Sequence, residues 1–143
     1  MRPLRKRVLN FLEKRWLYGI TAILWLTGTI WFVLHCLTPE GELGSFTQSM
    51  LLRIHGIAAM AFLFVLGVIF YHIPPGWQNK NQRISGVPLL SICVILTLTG
   101  WGLYYLGQEN WRSAASLIHT ALGIVLPLII LAHIWKVIFV KSK

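Results

Sequence analysis

The chain has 143 residues, of which 56% are hydrophobic and 12% charged, and its formal net charge at pH 7 is +9. A soluble domain of this length needs far more polar surface, so the composition points to a membrane protein. The basic residues lie in the gaps between apolar runs rather than along one exposed face, which argues against nucleic acid as the partner.

Residues 1–15, "MRPLRKRVLNFLEKR", are basic, with Leu4, Val8, Leu9, Phe11 and Leu12 interspersed. This pattern predicts a short amphipathic helix along the membrane surface. Four apolar runs follow, at about 16–36, 50–72, 87–106 and 114–138. Each reaches the roughly 20 residues needed to cross a bilayer. The first is too long for a signal-peptide core and lacks a small-residue cleavage site after it, so a retained helix is expected. The linkers "TPEGELGS", "IPPGWQNKNQRISG" and "GQENWRS" carry the residues that break helices, and each is too short to form a domain. Ile73 precedes Pro74, so the second helix is expected to end there. No internal repeat is evident. The expected fold is all-α: a single membrane domain, residues 1–143, built as an up-down bundle of four transmembrane helices.

Charge predicts the orientation. With the N-terminus inside, the inner side holds Arg2, Arg5, Lys6, Arg7, Lys14, Arg15, Lys80, Arg83, Lys136, Lys141 and Lys143, and the outer side only Arg53 and Arg112. Both termini are then cytoplasmic. Trp16, Tyr18, Trp77, Trp101, Tyr104, Tyr105, Trp111 and Trp135 fall near the interfaces, as belt residues do. The two cysteines, Cys36 and Cys93, form no metal-spaced or redox motif, and Cys93 reads as packing.

Histidines are costly in a membrane unless something binds them. The second run carries His55 and His72, and the fourth His119 and His133. These two runs cross in the same direction, so His55 matches His119 in depth near the outer end, and His72 matches His133 near the inner end. His119 and His133 are 14 residues apart, four whole turns at 3.5 residues per turn and roughly 21 Å along the axis. His55 and His72 are 17 apart, about 25 Å, with faces differing by roughly 50° in the frame of a left-handed bundle. A loosened helix end before "IPPG" would bring His72 round. His35 has no depth-matched partner in this scheme and reads as an interfacial hydrogen-bonding residue, unless it replaces His55 as an outer ligand.

Two imidazoles from facing helices are the axial ligand set of a b-type haem held in a bundle core. A flat macrocycle needs small residues beside its ligands. Gly56, Ala58 and Ala59 flank His55, and Ala115, Ala121 and Gly123 flank His119, although such residues also serve plain helix packing. Arg53 and Arg112 are placed to neutralise propionates or simply to anchor helix ends, and Lys80 and Arg83 are their inner counterparts. Pro127 is expected to kink the fourth run between its two histidines.

The stretch "RIHGIAAM…FYH…GW…QRISG…LTLTGWGLYYLGQENWR…LIHTALGIVLPLIILAH" resembles a group of small bacterial four-helix membrane proteins related to cytochrome b. The likeness spans roughly 51–138 and is most specific in "RISG…TG…LYY" and in the paired histidines of the fourth run. More distantly the chain is similar to the membrane cytochrome b subunits of respiratory formate dehydrogenases and hydrogenases, and to the cytochrome b of bc complexes. The resemblance implies two b-type haems, an outer one on His55 and His119 and an inner one on His72 and His133. It also implies electron transfer between quinone and a redox partner subunit in a bacterial cytoplasmic membrane. The dehydrogenase-type cytochromes usually supply a histidine from the first helix. "WLYGITA" has none, which moves the inner ligand to His72 in the manner of the bc type.

Two other readings compete. One is a structural or assembly subunit without haem, and the other is a single-haem cytochrome that keeps only His55 and His119. The four acids, Glu13, Glu40, Glu42 and Glu109, lie outside the apolar cores, which disfavours a carboxylate metal site. Glu109 and Tyr105 are weak candidates for proton handling near a quinone.

Overall fold

The computed structural model describes residues 9–39, 42–78 and 80–139. Arg2, Leu4, Arg5, Lys6, Arg7, Val8, Glu40, Lys141 and Lys143, named above for charge or amphipathicity, lie outside the described residues. The elements are helices α1 (Phe11–Leu37) and α2 (Phe46–Val68), a 3₁₀ turn (Ile69–His72), and helices α3 (Ile73–Gln78), α4 (Lys80–Tyr105) and α5 (Glu109–Phe139). The fold is all-α. Among the described residues four helical stretches are long and apolar enough to cross a membrane: Phe11–Leu37, Phe46–Gln78, Gln82–Tyr105 and Glu109–Trp135.

The helices overrun the apolar runs, because backbone hydrogen bonding continues until a cap or a break stops it. Phe11 to Arg15 belong to α1 rather than to a separate surface helix. The reason is a capping box: the Asn10 side chain accepts from the Glu13 N–H at 2.8 Å, and the Glu13 carboxylate accepts from the Asn10 N–H at 2.8 Å. Ser45 and Gln48 start α2 in the same way, four residues before the expected boundary. Gln48 also donates to the Thr38 hydroxyl at 2.9 Å, tying the start of α2 to the end of α1.

The linker "IPPGWQNKNQRISG" is largely helical rather than irregular. Pro74 and Pro75 fall in the first turn of α3, where a missing N–H removes no intrahelical bond. Helix α2 ends at Val68, five residues before Ile73.

The chain divides into two compact units, Met1–His72 and Ile73–Lys143. In the first, α1 packs along α2 as an antiparallel hairpin; in the second, α4 packs along α5 and α3 touches α4. Few side chains are buried. Ile20, Ala58, Phe62 and Ile69 are the buried apolar residues of the first hairpin, and Cys93, Ala115 and Leu126 those of the second. The eight belt aromatics are all exposed. Apolar surface of this extent suits lipid as solvent, where helices associate through close packing and interhelical hydrogen bonds rather than burial.

Candidate functional site: histidines on hydroxyl–glycine seats

Within the first hairpin, His55 of α2 lies against α1. Its Nδ1 is 3.1 Å from the Thr27 hydroxyl and 3.1 Å from the Leu24 carbonyl oxygen. Thr27 is buried, and its hydroxyl donates to the Ile23 carbonyl at 2.7 Å. The next residue, Gly28, faces the imidazole: a Cβ there would meet His55 Cε1 at 3.0 Å and Nδ1 at 3.3 Å. The ring therefore occupies the volume that any other residue at 28 would take. A hydroxyl holds one nitrogen and a glycine makes room for the ring.

The second hairpin repeats the arrangement with different residues. His119 of α5 has Nδ1 3.0 Å from the Thr99 hydroxyl of α4. That hydroxyl donates to the Ile95 carbonyl at 2.7 Å. A Cβ on Gly100 would meet His119 Cε1 at 3.2 Å. His133 has Nδ1 3.1 Å from the Ser85 hydroxyl, and Gly86 stands next to it, its Cβ position 3.7 Å from His133 Cε1. The two seats share one antiparallel register. Thr99 to Ser85 is 14 residues back along α4, and His119 to His133 is 14 forward along α5. Four near-whole turns separate them on both helices, roughly 21 Å.

His72 is held differently. Fourteen residues before Thr27 and Gly28 stand Glu13 and Lys14 rather than a hydroxyl and a glycine. Glu13 accepts a 2.6 Å hydrogen bond from the hydroxyl of Tyr71, the residue before His72. The 3₁₀ turn matters here. Seventeen residues of uninterrupted α-helix would put His72 about 100° away from the face of His55, and four residues at the tighter 3₁₀ winding reduce that to about 20°. The loosened end expected before "IPPG" is thus an overwound one, and it turns the half-buried His72 toward the azimuth of His55.

The other expected site residues are more ordinary. Arg53 is exposed on α2, and Gly56 is half-buried beside His55. Arg112 is bound to Glu109 at 2.8 Å, one turn away on the first turn of α5, in a solvent-exposed pair. A Cβ on Gly123 would sit 4.0 Å from Leu96 Cδ2, an ordinary packing contact. His35 is exposed and stacks on Trp31, with ring centroids 4.9 Å apart. Pro127 lies inside α5, between His119 and His133. Among the described residues, no group of three or more His, Cys, Asp or Glu side chains comes together.

Thr27, Gly28, Ser85, Gly86, Thr99 and Gly100 were not singled out by the sequence reading. The signal was present but small. Leu-Thr-Gly occurs at 26–28 and again at 98–100, and Ile-His at 54–55 and 118–119. Comparison with protein-family models, with curated proteins and with solved structures gives no significant match for this chain.

Proposed function

We propose that the protein is a di-haem b-type cytochrome of a bacterial cytoplasmic membrane, with His55, His72, His119 and His133 as axial ligands. The observation that carries this reading is the recurrence of one seat. Three membrane histidines each meet a Ser or Thr hydroxyl through Nδ1 and lie beside a glycine, two of them in one register. Lone imidazoles held this way suit a cofactor that brings its own equatorial donors, whereas a bare metal ion would need a cluster of protein ligands. Hydrogen bonding of the second ring nitrogen is the usual support of a metal-binding histidine. The pairing of His55 with His119, and of His72 with His133, rests on equal depth along two co-directional spans.

A bound haem supplies reversible one-electron storage at its iron. The residues of the chain bind and orient it: the histidines supply nitrogen lone pairs, the glycines admit the rings, and the apolar helices exclude water and lower the dielectric. Arg53, and Arg112 through its exchangeable surface pair with Glu109, are the cations available to propionates at one end. Quinone and a redox partner subunit are the proposed electron exchangers, with both termini on the cytoplasmic side.

The test is spectroscopic. Protein purified from haem-replete cells should give the reduced-minus-oxidised bands of a b-type haem, and a pyridine haemochrome assay should give close to two haems per chain. A colourless preparation would leave the structural-subunit reading standing. A single-haem reading is favoured by one observation: residues 13 and 14 give His72 no hydroxyl–glycine seat. A haem content near one, unchanged in His72→Ala, would support it.

A further inference from the structure

We infer that Thr27, Thr99 and Ser85 are positioning residues that fix His55, His119 and His133 as Nδ1–H tautomers and so present Nε2 as the coordinating nitrogen. The identity of the coordinated group rests on the haem reading, whereas the tautomer assignment does not.

The direction of each hydrogen bond follows from what its partners can do. At His55 the decisive group is the Leu24 carbonyl, 3.1 Å from Nδ1. A carbonyl oxygen only accepts, so Nδ1 must carry the proton. The Thr27 hydroxyl has its own proton directed at the Ile23 carbonyl at 2.7 Å, with Leu24 O at 3.2 Å, and faces Nδ1 with a lone pair. At His119 the same logic runs through the hydroxyl alone. Thr99 Oγ1 donates to Ile95 O at 2.7 Å, with Leu96 O at 3.2 Å, so its one proton is engaged and it accepts from Nδ1–H at 3.0 Å. At His133 the Ser85 hydroxyl lies 3.1 Å from Nδ1 and 3.4 Å from the Gln82 carbonyl, a longer and weaker version of the same relay. A neutral imidazole has one proton to place. With the proton on Nδ1, the lone pair is on Nε2, the ring nitrogen farther from the backbone and better able to reach a ligand plane beside the helix.

The relay also has a polarity. Each hydroxyl passes the pull of a helix carbonyl on to the imidazole N–H, which makes Nε2 more basic. A more basic axial ligand favours the oxidised, more positively charged iron. Loss of the hydroxyl should therefore raise the reduction potential as well as loosen binding. A residue that merely filled space would change neither the tautomer nor the potential when its shape was kept.

The test uses the full chain in nanodiscs with ¹⁵N-labelled histidine, in haem-free and haem-loaded form. In the haem-free protein at a pH where the rings are neutral, nitrogen spectra of the wild type should give Nδ1–H for His55, His119 and His133. Thr99→Val keeps the side-chain shape and removes the acceptor, so the His119 population should move toward Nε2–H, and Thr99→Ser should keep the wild-type pattern. In the loaded protein Thr99→Val should lose roughly ten- to a hundredfold in haem affinity and titrate at a higher potential, with Thr99→Ser restoring both. Nε2–H at His119 in the wild type, or a Thr99→Val spectrum identical to wild type, overturns the inference. A wild-type chain that binds no haem yet shows the Nδ1–H pattern upholds the tautomer assignment and removes the cytochrome reading instead.

Discussion

The imidazole of His55 and the backbone of Gly28 are in direct competition for space: a methyl group at residue 28 would stand 3.0 Å from the ring's Cε1. The same competition holds between His119 and Gly100 at 3.2 Å. Both separations are shorter than a relaxed carbon–carbon contact of about 3.5–4.0 Å. The rings sit against the neighbouring helix, with their Nδ1 edges anchored on a hydroxyl one residue away.

Gly28→Ala and Gly100→Ala should therefore displace their histidines. Overpacking of this kind costs about 1–3 kcal/mol, and part of the effect should appear as lost cofactor rather than lost fold. Gly86→Ala is the internal control, because its Cβ would meet His133 at an ordinary 3.7 Å. Haem content and thermal unfolding in detergent check this. Equal losses in all three variants would show that the glycines act only as helix-packing residues.

Replacing the ligands should have graded consequences. His119→Ala and His55→Ala should each remove the same haem, leaving about half the wild-type content. His72→Ala should remove the other. Haemochrome quantitation of the three variants, with helicity checked by circular dichroism, reads this directly. An unchanged content in His72→Ala would move the assignment to one haem.

Cys36 and Cys93 report the orientation. Cys36 is exposed near the end of α1, and Cys93 is buried within α4. The charge bias puts the end of α1 outside. A membrane-impermeant maleimide added to intact cells should label Cys36 and spare Cys93, and Cys36→Ser should abolish the signal. Labelling that appears only after permeabilisation would reverse the topology.

The hydroxyl of Tyr71 donates to Glu13 at 2.6 Å, joining the end of α2 to the start of α1 beside the 3₁₀ turn. A hydrogen bond to a carboxylate contributes about 1.5–3 kcal/mol. Tyr71→Phe should lower stability by no more than that, and should loosen the turn that sets the azimuth of His72. Hydrogen exchange at residues 69–72 should quicken in the variant. The Glu109–Arg112 pair is a contrast: both partners are exposed, at 77% and 52%, so Glu109→Gln should change stability by less than about 1 kcal/mol.

The sequence by itself determined the four spans, because crossing a bilayer needs only a sustained apolar run, which is a property of consecutive residues. The depths of the four histidines were legible for the same reason: position along a span is a count. What Thr27, Thr99 and Ser85 do was decided only by tertiary structure. Their partners lie 20 to 48 residues away, and the antiparallel register that joins them depends on where each helix starts and how its hairpin closes. The capping boxes at Asn10 and Ser45, the helical stretch through "IPPGW" and the 3₁₀ turn at Ile69–His72 set those starts and windings. An apolar window averages over such local hydrogen bonds, so it located the membrane segments without revealing which hydroxyl would meet which imidazole.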